Sequence, residues 1–200
     1  MSAYIINALR TPIGSFGGRL ACFRAPELGA KVIKSLIEDI NLDLNSYDQV
    51  IMGNVLSAGL GQAPARQATI LGGLNVSTEC LTINKMCGSG LKAVMIADNE
   101  IKSGSADMIL AGGLESMSNA PLLVNKNLSK IGHGKMVDSM VHDGLWDAYN
   151  EMHMGSCAEL LASERNYSRI LQDNYAVKSY EKAQNAISEG LFSDEIISVN

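Results

Sequence analysis

Two hundred residues, 46% hydrophobic and 18% charged, can bury a sizeable core without disulfide staples, and one compact domain with an appended region is the natural count. A formal net charge of -5 without any long basic run argues against nucleic acid or an anionic membrane as partner. Cys22, Cys80, Cys87 and Cys157 lie far apart with no C-x-x-C pair, so neither a metal site nor a disulfide framework is expected, and a reducing, cytoplasmic setting fits. Met1 to Leu9 lacks a long apolar core behind positive charge, and nowhere do about 18 apolar residues run together, so no signal peptide or membrane span is expected.

In chain order, Ala3 to Ala8 is a short apolar run closed by Arg10-Thr11-Pro12 and a loop with Gly14, Gly17 and Gly18, which predicts a buried strand and a turn. Pro26 and Glu27 open a helix through about Ile40, with Leu28, Val32, Leu36 and Ile37 on its apolar face. Tyr47 to Val55 reads as a second strand, and the small-residue loop Ser57 to Pro64 leads into a helix from about Ala65 to Leu74. A third strand, Cys80 to Ile83, precedes a helix that ends near Ser103 at Gly104, and Asp107 to Ala111 is a fourth strand. Four strands alternating with three helices predict a parallel α/β sheet with function at the strand C-terminal ends. From Ser116 to about Asn150 periodicity is lost, which predicts a long excursion acting as a lid or an arm toward another subunit, with a disordered segment as the other reading. Helices are expected from Gly155 to about Asn166 and from Leu171 to about Glu189, the second entered by Ser168, with a further strand starting at Phe192.

Cys87 falls at the turn between the third strand and its helix. There the free N–H groups of the helix end favour a thiolate and nucleophilic attack on a carbonyl, while Gly88 and Gly90 supply a sharp turn and room for a substrate. From position alone, a small buried cysteine before a helix reads equally well.

The longer segment Asn84-Lys85-Met86-Cys87-Gly88-Ser89-Gly90-Leu91-Lys92-Ala93 resembles the acyl-enzyme cysteine segment of the thiolases. Four more stretches resemble the same family in the same order: Arg10-Thr11-Pro12-Ile13-Gly14, Gly61-Gln62-Ala63-Pro64-Ala65-Arg66-Gln67-Ala68, Ala111-Gly112-Gly113-Leu114-Glu115-Ser116-Met117-Ser118 and His153-Met154-Gly155. The resemblance implies a layered αβαβα fold of two similar halves. Here residues 1–116 would be most of the first α/β half, and residues 117–200 part of an inserted loop and oligomerisation domain. It further implies an acetyl-CoA C-acetyltransferase that condenses two acetyl-CoA into acetoacetyl-CoA, and runs the reverse thiolysis, by a ping-pong mechanism through acetyl-Cys87. Coenzyme A thioesters would be substrates, with no permanently bound cofactor.

By the same resemblance, Gly88 and Gly90 belong to the oxyanion turn, and Leu145, His153 and Met154 contact substrate. His153 could equally be a polar residue at a helix start, and Leu145 with Trp146 a packing cluster. Asn125 to Lys135, with Lys126, Lys130, His133 and Lys135, is similar to a cationic loop of tetrameric members but lacks arginine, so dimer and tetramer both stay open. The family's second half supplies a histidine in Gly-His-Pro, an asparagine and a second cysteine; His133, His142 and His153 all lie outside such a motif. The 200 residues alone are therefore expected to be inactive or nearly so, and a complementary C-terminal half or a homo-oligomer is the expected partner. The other readings are a non-catalytic thiolase half acting as an interaction partner, a 3-ketoacyl-CoA thiolase of longer chain specificity, and a related decarboxylating ketoacyl synthase.

Overall fold

The structure, a computed structural model, describes residues 2–126 and 133–199. Two compact units divide it: Met1–Gly144 with Ile197–Asn200, and Leu145–Ile196. This division falls later in the chain than Ser116, where the sequence loses its periodicity.

In the first unit, α1 (Ala25–Ile40) starts where Pro26 fits the first turn and Glu27 accepts the Arg24 N–H at 2.8 Å, and it stops at Asn41 in the left-handed conformation. β1 (Gln49–Gly53), α2 (Pro64–Leu71), β2 (Glu79–Ile83), α3 (Ser89–Ser103) and β3 (Ile109–Gly113) follow. The sheet runs β2-β1-β3, all parallel, with Gly53 in register with both Ile83 and Gly113, so the three strands end flush. β1 is the central strand and its side chains alternate between faces. Val50 and Met52 join Ile33, Ile37, Ala65 and Ala68 beneath α1 and α2, while Ile51 packs with Ala93 and Ala97 of α3. Three layers result, helices on both faces of a parallel sheet.

The expected strand at Ala3 to Ala8 does not form. Tyr4 and Ile5 are 83% and 81% exposed, because an apolar run becomes a strand only beside a neighbour that completes its ladder. Instead the segment lines a cavity of about 680 Å³ whose other walls are Val32 and Leu36 of α1, Val94 and Ile101 of α3, and β3. Val32 and Leu36, expected to be core, are half-buried against this space, and the deepest line of α1 is Ala25, Leu28, Ile33 and Ile37. Phe192 to Val199 also forms no extended strand: the Ser193 N–H closes a turn onto Gly190 O at 3.0 Å, and the Ile197 N–H reaches Arg10 O at 2.9 Å.

The excursion after Ser116 holds short elements. β4 (Leu122–Val124) pairs antiparallel with β5 (Met136–Asp138), and buried Ser139 donates its hydroxyl to Pro121 O at 2.6 Å. Within the cationic segment Asn125 to Lys135, residues 127–132, Lys130 among them, lie outside the described residues. A single π-helical turn spans Met140–Leu145.

In the second unit, β6 (Trp146–Asp147) pairs antiparallel with β7 (Met152–His153), followed by α4 (Met154–Glu164) and α5 (Arg169–Ser188). The Ser168 side chain caps α5 by accepting from the Leu171 N–H, as the sequence predicts. Among the described residues no helix is long and apolar enough to cross a membrane.

Candidate active site

The loops that leave β1, β2 and β3 share the C-terminal edge of the sheet, the edge at which parallel α/β sheets place their ligands. Cys87 is there, exposed and unpaired, immediately before Gly88, the N-cap of the 15-residue α3. Side chains set its turn. Asn84 Oδ1 accepts the Met86 N–H at 2.9 Å; Ser89 Oγ accepts the Lys85 N–H at 2.9 Å and donates to Met86 O at 2.6 Å. The left-handed residue is Met86, at φ 50°, whereas Gly88 sits at φ -93°. The turn role expected of Gly88 and Gly90 therefore passes to Met86: a Cβ on either glycine would meet its nearest neighbour only at 3.5 Å or beyond. The N–H groups of Gly88 and Ser89 are engaged inside the turn, on Lys85 O and Met86 O.

At this edge of the sheet the glycine that close approach does require is Gly53 of β1. A Cβ there would lie 2.5 Å from Ser89 Cβ and 2.8 Å from Gly90 N, so α3 sits directly on the end of the central strand. Beside it, Asn54 is buried. Its N–H continues the ladder to Ile83 O at 2.9 Å, and its Nδ2 donates to Leu114 O at 3.1 Å and to Glu115 Oε1 at 2.7 Å. Glu115 also accepts the Val55 and Leu56 N–H groups at 2.9 and 3.1 Å. Burial pushes the Glu115 carboxyl above the ordinary glutamate value, outweighing the opposite effect of the Val55 and Leu56 bonds. Local periodicity gives no role to Gly53, Asn54, Ser89 or Glu115; Ser89 and Glu115 fall within two of the family-like segments of the sequence, and Gly53 and Asn54 are marked only as a Gly-Asn pair ending a strand.

The remaining motif residues hold the scaffold. Arg66 donates to Thr78 O at 2.7 Å, Gln67 Nε2 to Leu60 O and Gln62 O at 2.8 Å each, and Thr82 Oγ1 accepts the Ala65 N–H at 3.0 Å, tying α2 to β2 and the preceding loop. Ser116 and Asn119 bond to Phe23 O at 2.9 Å each, and the Gly17 N–H donates to Ser118 Oγ at 2.9 Å, which pins the N-terminal glycine loop to the segment after β3.

The β6–β7 hairpin brings together three residues expected to meet substrate. Trp146 stands opposite His153, which places half-buried Leu145 and exposed Met154 at the same end. His153 caps α4, its Nδ1 accepting the Gly155 N–H at 3.0 Å, so in the neutral ring Nε2 carries the proton. At the hairpin turn a bond from Asn150 Nδ2 and another from the Tyr149 N–H hold the Asp147 carboxyl below its usual range. Cys87 belongs to the first unit and these residues to the second. Among the described residues no group of three or more His, Cys, Asp or Glu could hold a metal.

Residues 3–200 match the family described as Thiolase, N-terminal domain. The chain is 52% identical to a probable acetyl-CoA acetyltransferase of Escherichia coli, over 98% of this chain and 50% of that protein. To the mitochondrial acetyl-CoA acetyltransferase of Homo sapiens it is 46% identical, over 98% of this chain and 46% of that protein. A crystal structure of a thiolase from Ascaris suum in complex with coenzyme A superposes with a TM-score of 0.96 at 40% identity, covering all of this chain and 52% of that one. The chain thus spans about half the length of the relatives it matches. An open-edged α/β unit with an exposed cysteine at the head of α3, matched over nearly every residue, makes this chain a member of the thiolase family that carries its N-terminal domain.

Proposed function

We propose that the chain is the nucleophile-bearing half of an acyltransferase that condenses two acetyl-CoA into acetoacetyl-CoA and catalyses the reverse thiolysis. The observation that carries this is Cys87, exposed at the N-terminus of α3 on the functional edge of the sheet, in a chain similar throughout to named acetyl-CoA acetyltransferases. The Cys87 thiolate attacks the thioester carbonyl of acetyl-CoA, the C–S bond to coenzyme A breaks, and acetyl-Cys87 remains. A second acetyl-CoA, deprotonated at its methyl, attacks the acetyl carbonyl and releases Cys87. The backbone N–H of Cys87 contributes to the oxyanion site, while Leu145, His153 and Met154 line the acyl and pantetheine path.

Residues 1–116 act as the first α/β half of a five-layer fold and 117–200 as part of the loop and oligomerisation domain. The cavity beside β3 and the unpaired run at Ala3 to Ala8 support a complementary half as partner, since both are apolar surface awaiting a sheet neighbour. That half supplies the proton-transfer groups, each worth about 10²- to 10⁴-fold.

The test is acetoacetyl-CoA thiolysis by purified residues 1–200, alone and with a polypeptide covering the other half of a relative, with Cys87→Ala as control. Negligible turnover alone and Cys87-dependent turnover in the mixture is the expected result. Robust turnover alone would show that the acid/base groups lie within these residues, and turnover by Cys87→Ala would remove the nucleophile.

A further inference from the structure

Past the flush ends of the three parallel strands, one backbone bond on each side continues the ladders, Asn54 N–H to Ile83 O and Leu114 N–H to Gly53 O, and a side-chain pair ties the loops beyond. Asn54, the first residue past β1, is bonded through its N–H to the end of β2 and through its Nδ2 to Leu114 O, just past β3. Its second Nδ2 contact meets Glu115, whose carboxylate also takes the next two N–H groups of the β1 loop. Every partner of that carboxylate is a donor: Oε1 takes Asn54 Nδ2 and the Leu56 N–H, and Oε2 takes the Val55 N–H. The platform is transmitted to the nucleophile through one contact without slack. Gly53 abuts Ser89 too closely for any Cβ, and Ser89 Oγ holds the Lys85 N–H and Met86 O, the two residues preceding Cys87.

We propose that Glu115 and Asn54 are positioning residues for Cys87: together they lock the ends of β1, β2 and β3 in the one alignment that seats the Cys87 turn at the head of α3. Neither touches the thiol; both act through Gly53 and Ser89. The proposal rests on the reading of Cys87 as nucleophile.

The experiment uses the 200-residue chain and reads the rate constant for Cys87 alkylation by iodoacetamide divided by that of Cys157 in the same sample. Cys157 lies in the other compact unit and so serves as an internal reference. Glu115→Gln replaces an acceptor by an amide facing backbone N–H groups, and Asn54→Ser, which keeps the carboxylate, stands in where Glu115→Gln fails to fold. Ile33→Val, in the core beneath α1, lowers the melting temperature without touching the brace. Each is assayed where circular dichroism shows it folded. Both brace variants should lower the ratio by about threefold or more, the size of a helix-end effect on a charged group, with Ile33→Val unchanged. A fast Cys87 whose ratio the brace variants leave alone, or an equal drop in Ile33→Val, overturns the brace. A parent in which Cys87 is no faster than Cys157 overturns the nucleophile reading and the brace with it.

Discussion

Cys87 differs from the other three thiols in combining exposure with a place at the head of a long helix. Cys80 is half-buried on β2, Cys157 is half-buried on α4, and Cys22, also exposed, donates to Arg19 O within a short 3-10 turn. Limiting iodoacetamide followed by peptide mapping is expected to label Cys87 first; prior labelling of Cys22 in the folded chain would contradict this. Glu115 gives a second prediction, through pH. Its folded pKa is raised by burial, so between the ordinary glutamate value and the raised one the folded state binds more protons than the unfolded state. Stability from this group is therefore present at the acid end of that window and declines as pH rises through it. Urea midpoints measured across the window should show this downward component in the parent, and Glu115→Gln should abolish it; identical slopes in the two would refute the assignment.

Among the elements, α2 carries a conformational cost that sequence patterns hide. Ala63, its N-cap, is exposed and left-handed at φ 50°, a region that costs an ordinary L-residue about 1–2 kcal/mol. Asn tolerates that region far better, so Ala63→Asn should stabilise the chain by about 0.5–1 kcal/mol, read as a higher urea midpoint at unchanged m-value. The helices themselves were legible because their signals are local: Pro26 and Glu27 at the head of α1, Gly104 behind α3, Ser168 before α5. Three strands were legible for the same reason, as short apolar runs between turn residues. Ala3 to Ala8 carries the same signal and forms no strand, since the decision belongs to a neighbour that the local pattern does not encode. Cys87 could be found from its segment, whereas Gly53 and Glu115 matter through contacts across strand ends some 30 to 60 residues apart in sequence, which no window of helical or strand period samples.

At the scale of the molecule, burial is concentrated in one place. β1 is buried along nearly its whole length, whereas neither α4 nor α5 buries a single residue, and residues 3–9 border a cavity rather than a strand. Amide hydrogen exchange should follow this gradient, with Val50 to Met52 exchanging only on global unfolding and residues 3–9 at nearly the free-chain rate. Addition of the complementary half should slow residues 3–9 selectively, and protection of that segment in the isolated chain would refute the gradient. The strand order has a further consequence, for synthesis. Gln49 pairs with Glu79 on one side and Ile109 on the other, so the most buried strand emerges from a ribosome without either neighbour. At about 5–20 residues per second it waits some seconds for the first, about 30 residues later, and as long again for the second. During that interval an apolar, β-branched strand has two open edges, and α1, complete and amphipathic before the strand is made, can shield the face that carries Val50 and Met52. The helix made first is thus the nascent chain's own chaperone for the strand at its centre.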